Sequence, residues 1–425
     1  MKSMIRCISL LSLLFGGMQV SALAQDKTYI VRFKDSAVPQ VRPGSVRDDR
    51  VGSDPERWAH VGERVMAHVQ TLEMRHGVKA DAAFGTALQG MSVRLTPAQR
   101  EALRRDASVD VIEEEQTFTV QPLSRLEPSA AGKFTTTATV SSSQVIPWGI
   151  SKTQATQSYT LAGDGSGSVS GVRAYIIDTG LDTGNTDLNR AGHINFTGDG
   201  RNYDCNGHGT HVAGTVAAAD NSQAVVGMGP GVPIYGVKVL NCTGSGTTTS
   251  VIRGVDWVAA NAIKPAVANM SLGGGTSQLL DDAVRKAAST GIFFSIAAGN
   301  SAANACTASP ARIGGSGNTT GLGLMTVAAT DVNDLEATFS NYGSCVDIWA
   351  PGVSITSLKI GGGTTIMSGT SMASPHVGGA AALYLGRYPA ATSASVVSTL
   401  KGMAVNTGTL SKDGRAIKRL NGNVQ

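Results

Sequence analysis

VRAYIIDTG, residues 172–180, runs apolar with almost no alternation and then stops on a carboxylate and a glycine. A strand with one solvated face alternates apolar and polar side chains. A nearly continuous apolar run belongs to a strand covered on both faces, as in a parallel sheet held between helix layers. The same kind of run returns in VPIYGVKVL from Val232, AVANMSL from Ala266, IFFSIAAGN from Ile292 and LMTVAAT from Leu324. Between the runs, HGTHVAGTVAAA, TTTSVIRGVDWVAANA and SQLLDDAVRKAASTG carry helical spacing. Strands alternating with helices predict a three-layer α/β domain with a mostly parallel central sheet. Asp178 then falls at the carboxyl end of a strand, where open parallel sheets gather their active-site groups.

Two further segments complete a chemical set. CNGHGTHVAG holds His208 and SGTSMASPH holds Ser371, both among small residues that let backbone approach a bound chain. Asp, His, Ser is one of three chain orders in which nucleophilic-serine triads are laid out. A serine hydroxyl needs a base to take its proton. An imidazole does that near neutral pH, and a carboxylate behind it fixes the tautomer. Singly, each residue has an ordinary reading as a turn aspartate, a packed histidine or a helix cap. Their joint occurrence predicts acyl transfer by Ser371, with His208 as base and Asp178 as its orienter.

Acyl transfer also needs donors for the oxyanion. Asn300, closing IFFSIAAGN, is the side-chain candidate, joined by the Ser371 backbone N–H. SLGGG, Ser271 to Gly275, clears side chains from a strand end, so an extended peptide could add there by main-chain hydrogen bonds. Ser271, Leu272 and Gly273 are therefore expected to bind substrate, with Ala297, Ala298 and Gly299 bounding a side-chain pocket. His211, three residues beyond His208, suits a metal pair on a helix face, but no Glu stands between them as in a zincin motif, and His376 reads as a packed structural residue. An ester or lipid hydrolase would place serine in Gly-x-Ser-x-Gly with the order Ser, Asp, His, and Ser371 stands instead in Gly-Thr-Ser-Met-Ala. The remaining rival is a non-catalytic peptide-binding member of the same fold. No phosphate-binding loop with a Lys-Ser/Thr ending is present, and no organic cofactor is expected.

The 425 residues are too many for one ordinary domain. With 16% charged and 41% hydrophobic residues the chain suits a well-buried core, and a net charge of +4 without a basic run argues against nucleic acid. Lys2 and Arg6 precede the short apolar run ISLLSLLFGG, and Ala22-Leu23-Ala24 closes it. That is the pattern of a secretory signal peptide, residues 1–24, rather than of a membrane anchor. Cys205, Cys242, Cys306 and Cys345 remain after it, an even number that favours disulfides in an exported protein, with three pairings open.

Residues 25–121 form a first, charge-rich block. KTYIVRFK reads as a strand, Pro55 to Gly77 as a helix, FGTALQGMSVRLT as a strand, LTPAQREALRRDASV as a helix from Pro97, and VDVIEEEQTFTV as a last strand. A small α+β sandwich follows. Residues 122–143 are polar, have little to pack and read as a linker, and 144–425 make the α/β domain. The tail from Thr409 to Gln425 fits neither pattern.

AYIIDTG, NGHGTHVAGT and SGTSMASPHVGG resemble the three catalytic signatures of the subtilisin-like serine peptidases, and NMSLGGG and AAGN resemble that family's substrate-strand and oxyanion segments. DCNGHGTHVAG, VLNCTGSG, DWVAAN and FSNYGSCVDIWAPG look closest to the proteinase K-like branch and its secreted aqualysin-type enzymes. The resemblance implies a secreted endopeptidase of broad specificity that favours apolar or aromatic residues before the cut. It would be exported through the periplasm in a Gram-negative source, and monomeric. The resemblance also implies that residues 25–121 are a propeptide that inhibits the enzyme and helps it fold, removed by self-cleavage near Thr137–Thr139. It pairs Cys205 with Cys242 and Cys306 with Cys345. It places a structural calcium ion on Asp347 and the carbonyls of Leu322 and Leu324, beside GGSGNTTGLG from Gly314, which looks like an insertion.

Overall fold

In a computed structural model of the chain the described residues are 25–38, 61–120, 144–315 and 321–425. The signal segment, the linker with Thr137–Thr139, and the start of the helix expected from Pro55 lie outside them.

The first block contains β1 (Lys27–Phe33), α1 (Glu63–His76), β2 (Ala80–Phe84), β3 (Gly90–Leu95), α2 (Pro97–Arg104) and β4 (Val109–Glu114). Its sheet runs in the order β2-β3-β1-β4. α1 stops where Gly77 takes φ 60° and returns its N–H to the Glu73 carbonyl. α2 starts on a reciprocal Thr96–Gln99 capping box with Pro97 in its first turn. The period of two on β1 assigns its faces. Tyr29, Val31 and Phe33 pack with α1 in the block's own core, whereas Ile30 packs against the second domain.

Two expected strands are each divided. FGTALQGMSVRLT is a hairpin, because β2 ends at Phe84 and β3 begins only at Gly90. Gly85 and Gly90 at the two ends of GTALQG admit the Val61 and Val31 carbonyls, which a Cβ would meet at 2.0 and 2.3 Å, and the loop amides find an acceptor outside the block. VDVIEEEQTFTV likewise ends its first strand at Glu114, and β5 (Thr117–Thr119) leaves for another sheet.

The second domain opens with α3 (Trp148–Lys152), β6 (Arg173–Asp178), β7 (Arg190–Asn195), α4 (His208–Ala217), β8 (Ile234–Lys238) and β9 (Ser245–Thr247). It continues with α5 (Thr248–Asn261), β10 (Ala266–Met270), β11 (Gly273–Gly274), α6 (Gln278–Ser289), β12 (Phe293–Ala297) and β13 (Leu324–Thr330). Last come β14 (Ile348–Pro351), β15 (Ile355–Leu358), β16 (Thr364–Met367), α7 (Thr370–Arg387), α8 (Ser393–Met403), β17 (Val405–Leu410) and β18 (Ala416–Arg419).

The nine-stranded sheet has the order β17-β18-β14-β13-β12-β10-β6-β8-β7 and is parallel except for β17. Ala174 and Ile176 of β6 face α4 and α7, and Tyr175 and Ile177 face α5. Both faces are covered, which is why these strands read as unbroken apolar runs. The C-terminal tail, unassigned from sequence, is the β17–β18 hairpin that extends the sheet beside β14, with Ile417, Leu420 and Val424 buried. Among the described residues no helix is long and apolar enough to cross a membrane.

Candidate active site

Asp178 is the last residue of β6 and is fully buried. Its carboxylate oxygens lie 2.8 and 3.0 Å from Nδ1 of His208, the first residue of α4. The Thr179 N–H donates to the same carboxylate at 2.7 Å. α4 is fixed to this strand end by Asp204. One Asp204 oxygen accepts from the Gly207 N–H at 2.9 Å and from the Thr179 hydroxyl, and the other accepts from the N–H and hydroxyl of Thr210. A carboxylate at a helix start satisfies orphan amides and matches the helix dipole. Here it also locks the histidine's helix to the aspartate's strand.

Ser371 is in the first turn of α7, buried at 2% exposure. Its hydroxyl donates to the Ser271 carbonyl at 3.3 Å, and the Ser271 hydroxyl donates to the Ser371 carbonyl at 2.8 Å. His208 Nε2 is buried without a hydrogen-bond partner among the described residues. The Asp–His pair is thus made, while the serine hydroxyl is turned to a neighbouring carbonyl. Asn269 organises the ground beneath. Its amide donates to the Ser271 hydroxyl, and its oxygen accepts from Ser295 and Ser374, joining β10, β12 and α7.

Asn300 is anchored one residue from the nucleophile. Its Oδ1 accepts from the Thr370 N–H and the Thr370 hydroxyl, both at 2.8 Å. With the oxygen held, the amide can only present Nδ2 as a donor. Ala297 and Ala298 are buried, and their surroundings are internal. The Ala298 carbonyl accepts from Asn341, and the Gly299 N–H donates to the Thr370 hydroxyl. These contacts brace the strand end beside Asn300 and the start of α7.

The expected peptide-binding edge is occupied. β5 lies antiparallel to β11, with Gly273 opposite Thr119 and Gly274 opposite Phe118. On its other side β5 pairs antiparallel with β9, Thr117 opposite Thr247 and Thr119 opposite Ser245. The strand is sandwiched between two edges of the second domain, and the Val120 N–H reaches the Gly244 carbonyl at 2.9 Å. Sequence reasoning found the Ser271–Gly275 edge and missed Ser245–Thr247. The signal was there in Gly244-Ser245-Gly246 after an apolar strand, another stretch cleared of side chains.

The first block is further held by carboxylates that sequence reasoning did not single out. Glu113 accepts from the Ser277 hydroxyl and from the Gln278 and Leu279 amides at the start of α6. Glu115 accepts from the N–H and hydroxyl of Thr249 at the start of α5. In return Asp256 of α5 accepts from the amides of Gly85, Thr86, Ala87 and Leu88 in the β2–β3 loop.

Burial also sets the state of the remaining ionisable groups. His376 is pushed down to about 4 and His211 to about 3, both chiefly by desolvation, so each is neutral at working pH. Both are packed residues, as expected of His376. Lys238, in register with Asp178, is fully buried. Its ammonium donates to the carbonyls of Thr179 at 2.9 Å and Leu240 at 3.1 Å, and burial lowers its pKa.

Disulfides join Cys205 to Cys242 and Cys306 to Cys345. The proposed calcium ligands fit less well. The Asp347 carboxylate is buried and already engaged, with Lys401 Nζ on one oxygen at 2.6 Å and the Gly315 and Thr326 amides on the other. Leu324 opens β13 and Leu322 precedes it. A carboxylate holding an ammonium and two N–H donors does not offer the free oxygen lone pairs that calcium requires, so this donor set does not fit the ion.

Comparison with known proteins agrees with this architecture. The Subtilase family matches residues 170–423, more than half of the chain, and the peptidase inhibitor I9 family matches residues 28–121. An alkaline serine exoprotease A of Vibrio alginolyticus is 39% identical over 83% of this chain, which spans 62% of that relative's length. An extracellular serine proteinase of Thermus sp. is 38% identical, covering 88% of this chain and 83% of its own. The crystal structure of a cold adapted subtilisin-like serine proteinase superposes with a TM-score of 0.57 at 41% identity, over 65% of this chain and 98% of that one. The chain, an α/β catalytic domain preceded by a small inhibitor-type domain, belongs to the subtilisin-like family of serine endopeptidases.

Proposed function

We propose that the chain is the precursor of a secreted endopeptidase of the proteinase K-like branch, working through Ser371, His208 and Asp178. The observation that carries this reading is β5, an extended strand bonded on both sides at the edge that Ser271 joins to Ser371. A substrate peptide takes the same place once the first block has left. The Ser371 hydroxyl then turns from the Ser271 carbonyl toward His208 Nε2, gives up its proton and attacks the scissile carbonyl. Asn300 Nδ2 and the Ser371 N–H hold the oxyanion, and His208 protonates the leaving amine. Water activated by the same histidine hydrolyses the ester.

Recognition through backbone on both edges favours broad specificity, with apolar or aromatic residues before the cut as in the branch it resembles. Residues 1–24 direct export and residues 25–121 leave after self-cleavage within 122–143. The disulfide pairing and the motifs from DCNGHGTHVAG to FSNYGSCVDIWAPG support the branch assignment. A fluorophosphonate probe tests the reading. Labelling at Ser371 of the processed protein is expected, with a Ser371→Ala precursor left uncut. A folded, processed protein that takes no label overturns it.

A further inference from the structure

The family resemblance puts a divalent cation on Asp347, and this chain puts one of its own side chains there. Lys401 lies in the last turn of α8, and its Nζ is 2.6 Å from Asp347 Oδ1. The carboxylate has 0% side-chain exposure and the lysine 31%, so the charge on Asp347 is out of water and its partner reaches in from the rim. Oδ2 accepts from the Gly315 N–H at 3.0 Å and the Thr326 N–H at 2.8 Å. The Asp347 N–H in turn donates to the Thr326 carbonyl at 2.9 Å. One carboxylate therefore ties together the end of the 311–315 segment, β13, the entry to β14, and α8.

Calcium gathers about six to eight oxygen ligands, carboxylate, carbonyl and water together, at about 2.3–2.6 Å. An ammonium nitrogen at 2.6 Å stands where the ion would. Lys401, Arg415 and Lys418 line the same cavity of about 270 Å³ beside Asp347, a positive surround that opposes a second cation.

We propose that Lys401 is a built-in counter-ion, supplying at Asp347 the positive charge that a bound metal would otherwise supply. The consequence is thermodynamic. The stabilisation a bound ion gives rises with the logarithm of its free concentration and vanishes when the ion is removed, whereas a tethered ammonium is present in every folded molecule. The stability this site gives the catalytic domain is then independent of divalent cations, whatever other regions of the chain bind.

The test uses processed enzyme blocked at Ser371 by a covalent serine reagent, followed by tryptophan fluorescence during thermal unfolding. Wild type, Lys401→Met, Lys401→Arg, Asp347→Asn and the Lys401→Met/Asp347→Asn double variant are compared in chelator and in calcium at matched ionic strength. Lys401→Met is expected to unfold roughly tenfold faster or more, because one partner of a largely buried pair has gone. Lys401→Arg should recover part of that loss, and the double variant should lose less than the two single losses combined. Wild type and Asp347→Asn should respond equally to calcium. A calcium response that Asp347→Asn abolishes, or a Lys401→Met rate within twofold of wild type, overturns the proposal. If Asp347→Asn does not fold, the difference between the methionine and arginine variants decides alone.

Discussion

Asp256 is the residue whose loss should most weaken the grip of the first block on the catalytic domain. It is fully buried and accepts from four consecutive amides of the β2–β3 loop, at 2.9, 2.8, 2.5 and 3.3 Å. Hydrogen bonds to an ionised group contribute about 1.5–3 kcal/mol each, and bonds sharing one acceptor add incompletely. Three good bonds and one long one therefore make the Asp256 carboxylate worth about 3–5 kcal/mol, part of it the cost of leaving loop amides buried without an acceptor. At about 1.4 kcal/mol per decade, Asp256→Ala should weaken inhibition of the processed enzyme by added residues 25–121 by roughly 10²- to 4 × 10³-fold. Asp256→Asn keeps one acceptor without the charge and should lose roughly tenfold. The assay is the inhibition constant on a fluorogenic peptide, with one inhibitor preparation used for all enzymes so that its own folding cost cancels. The substituted residue lies on the domain face away from His208, so kcat should be unchanged. An Asp256→Ala inhibition constant within threefold of wild type would refute the reasoning.

Asn300→Ala should lower kcat by roughly 10²- to 10³-fold with little change in KM, since the amide acts on charge that develops after binding; an unchanged kcat removes it from the mechanism. Lys238→Met removes an ammonium 3.6 Å from Asp199 and in electrostatic reach of Asp178 and Asp204. Its loss also leaves the Thr179 and Leu240 carbonyls without their donor, so the blocked enzyme should lose about 1–3 kcal/mol of stability, and an unchanged unfolding rate would mean that Lys238 does not brace this strand end. His376, pushed down to about 4 by burial, stays neutral in the fold while the unfolded chain takes up a proton near 6.5. Its contribution is full above that pH and is lost as pH falls toward about 4, roughly 3 kcal/mol in all. Proton uptake on unfolding of the blocked enzyme near pH 5 should fall by about one in His376→Asn, and an unchanged uptake would exclude the histidine.

What could be read from the sequence divides along a physical line. The sheet was legible because burial on both faces leaves continuous apolar runs, and the chemistry was legible because Asp178, His208 and Ser371 each stand in a cluster of small residues. Asn300 was singled out from its place at a strand end, although Thr370, which anchors it, carries no pattern of its own. The two divided strands were missed because periodicity reports burial and not partner. Glu113 to Thr117 are five polar residues in a row, and across that break in the apolar pattern the chain leaves one sheet for another. Asp256, Glu113 and Glu115 looked like ordinary helix or surface charges, since their partners are backbone amides more than 100 residues away. The Lys401–Asp347 pair escaped because its two side chains stand 54 residues apart with no pattern joining them. The Asp347 motif matched the family, and the departure lay in a residue outside the motif.

The contacts made by the first block explain how it can assist folding and still be dispensable afterwards. A helix start leaves several amides unsatisfied, and α5 and α6 divide theirs between two suppliers. Thr247 and Ser277, in the catalytic domain itself, accept from the third amide of each helix, those of Ser250 and Leu280. The earlier amides go to the departing partner: Gln278 and Leu279 to Glu113, Thr249 to Glu115, and Thr248 to the Gln116 carbonyl. While the catalytic domain is forming, the first block thus completes both helix starts and adds a strand across the cleft between them, which lowers the cost of bringing these distant elements together. Without the first block each helix would still keep its own cap. The amides that are released lie beside the Ser245–Thr247 and Gly273–Gly274 edges, where water or substrate backbone takes them up. The same strand that blocks the cleft is therefore the one that templates it, and inhibition and folding assistance need no separate surfaces.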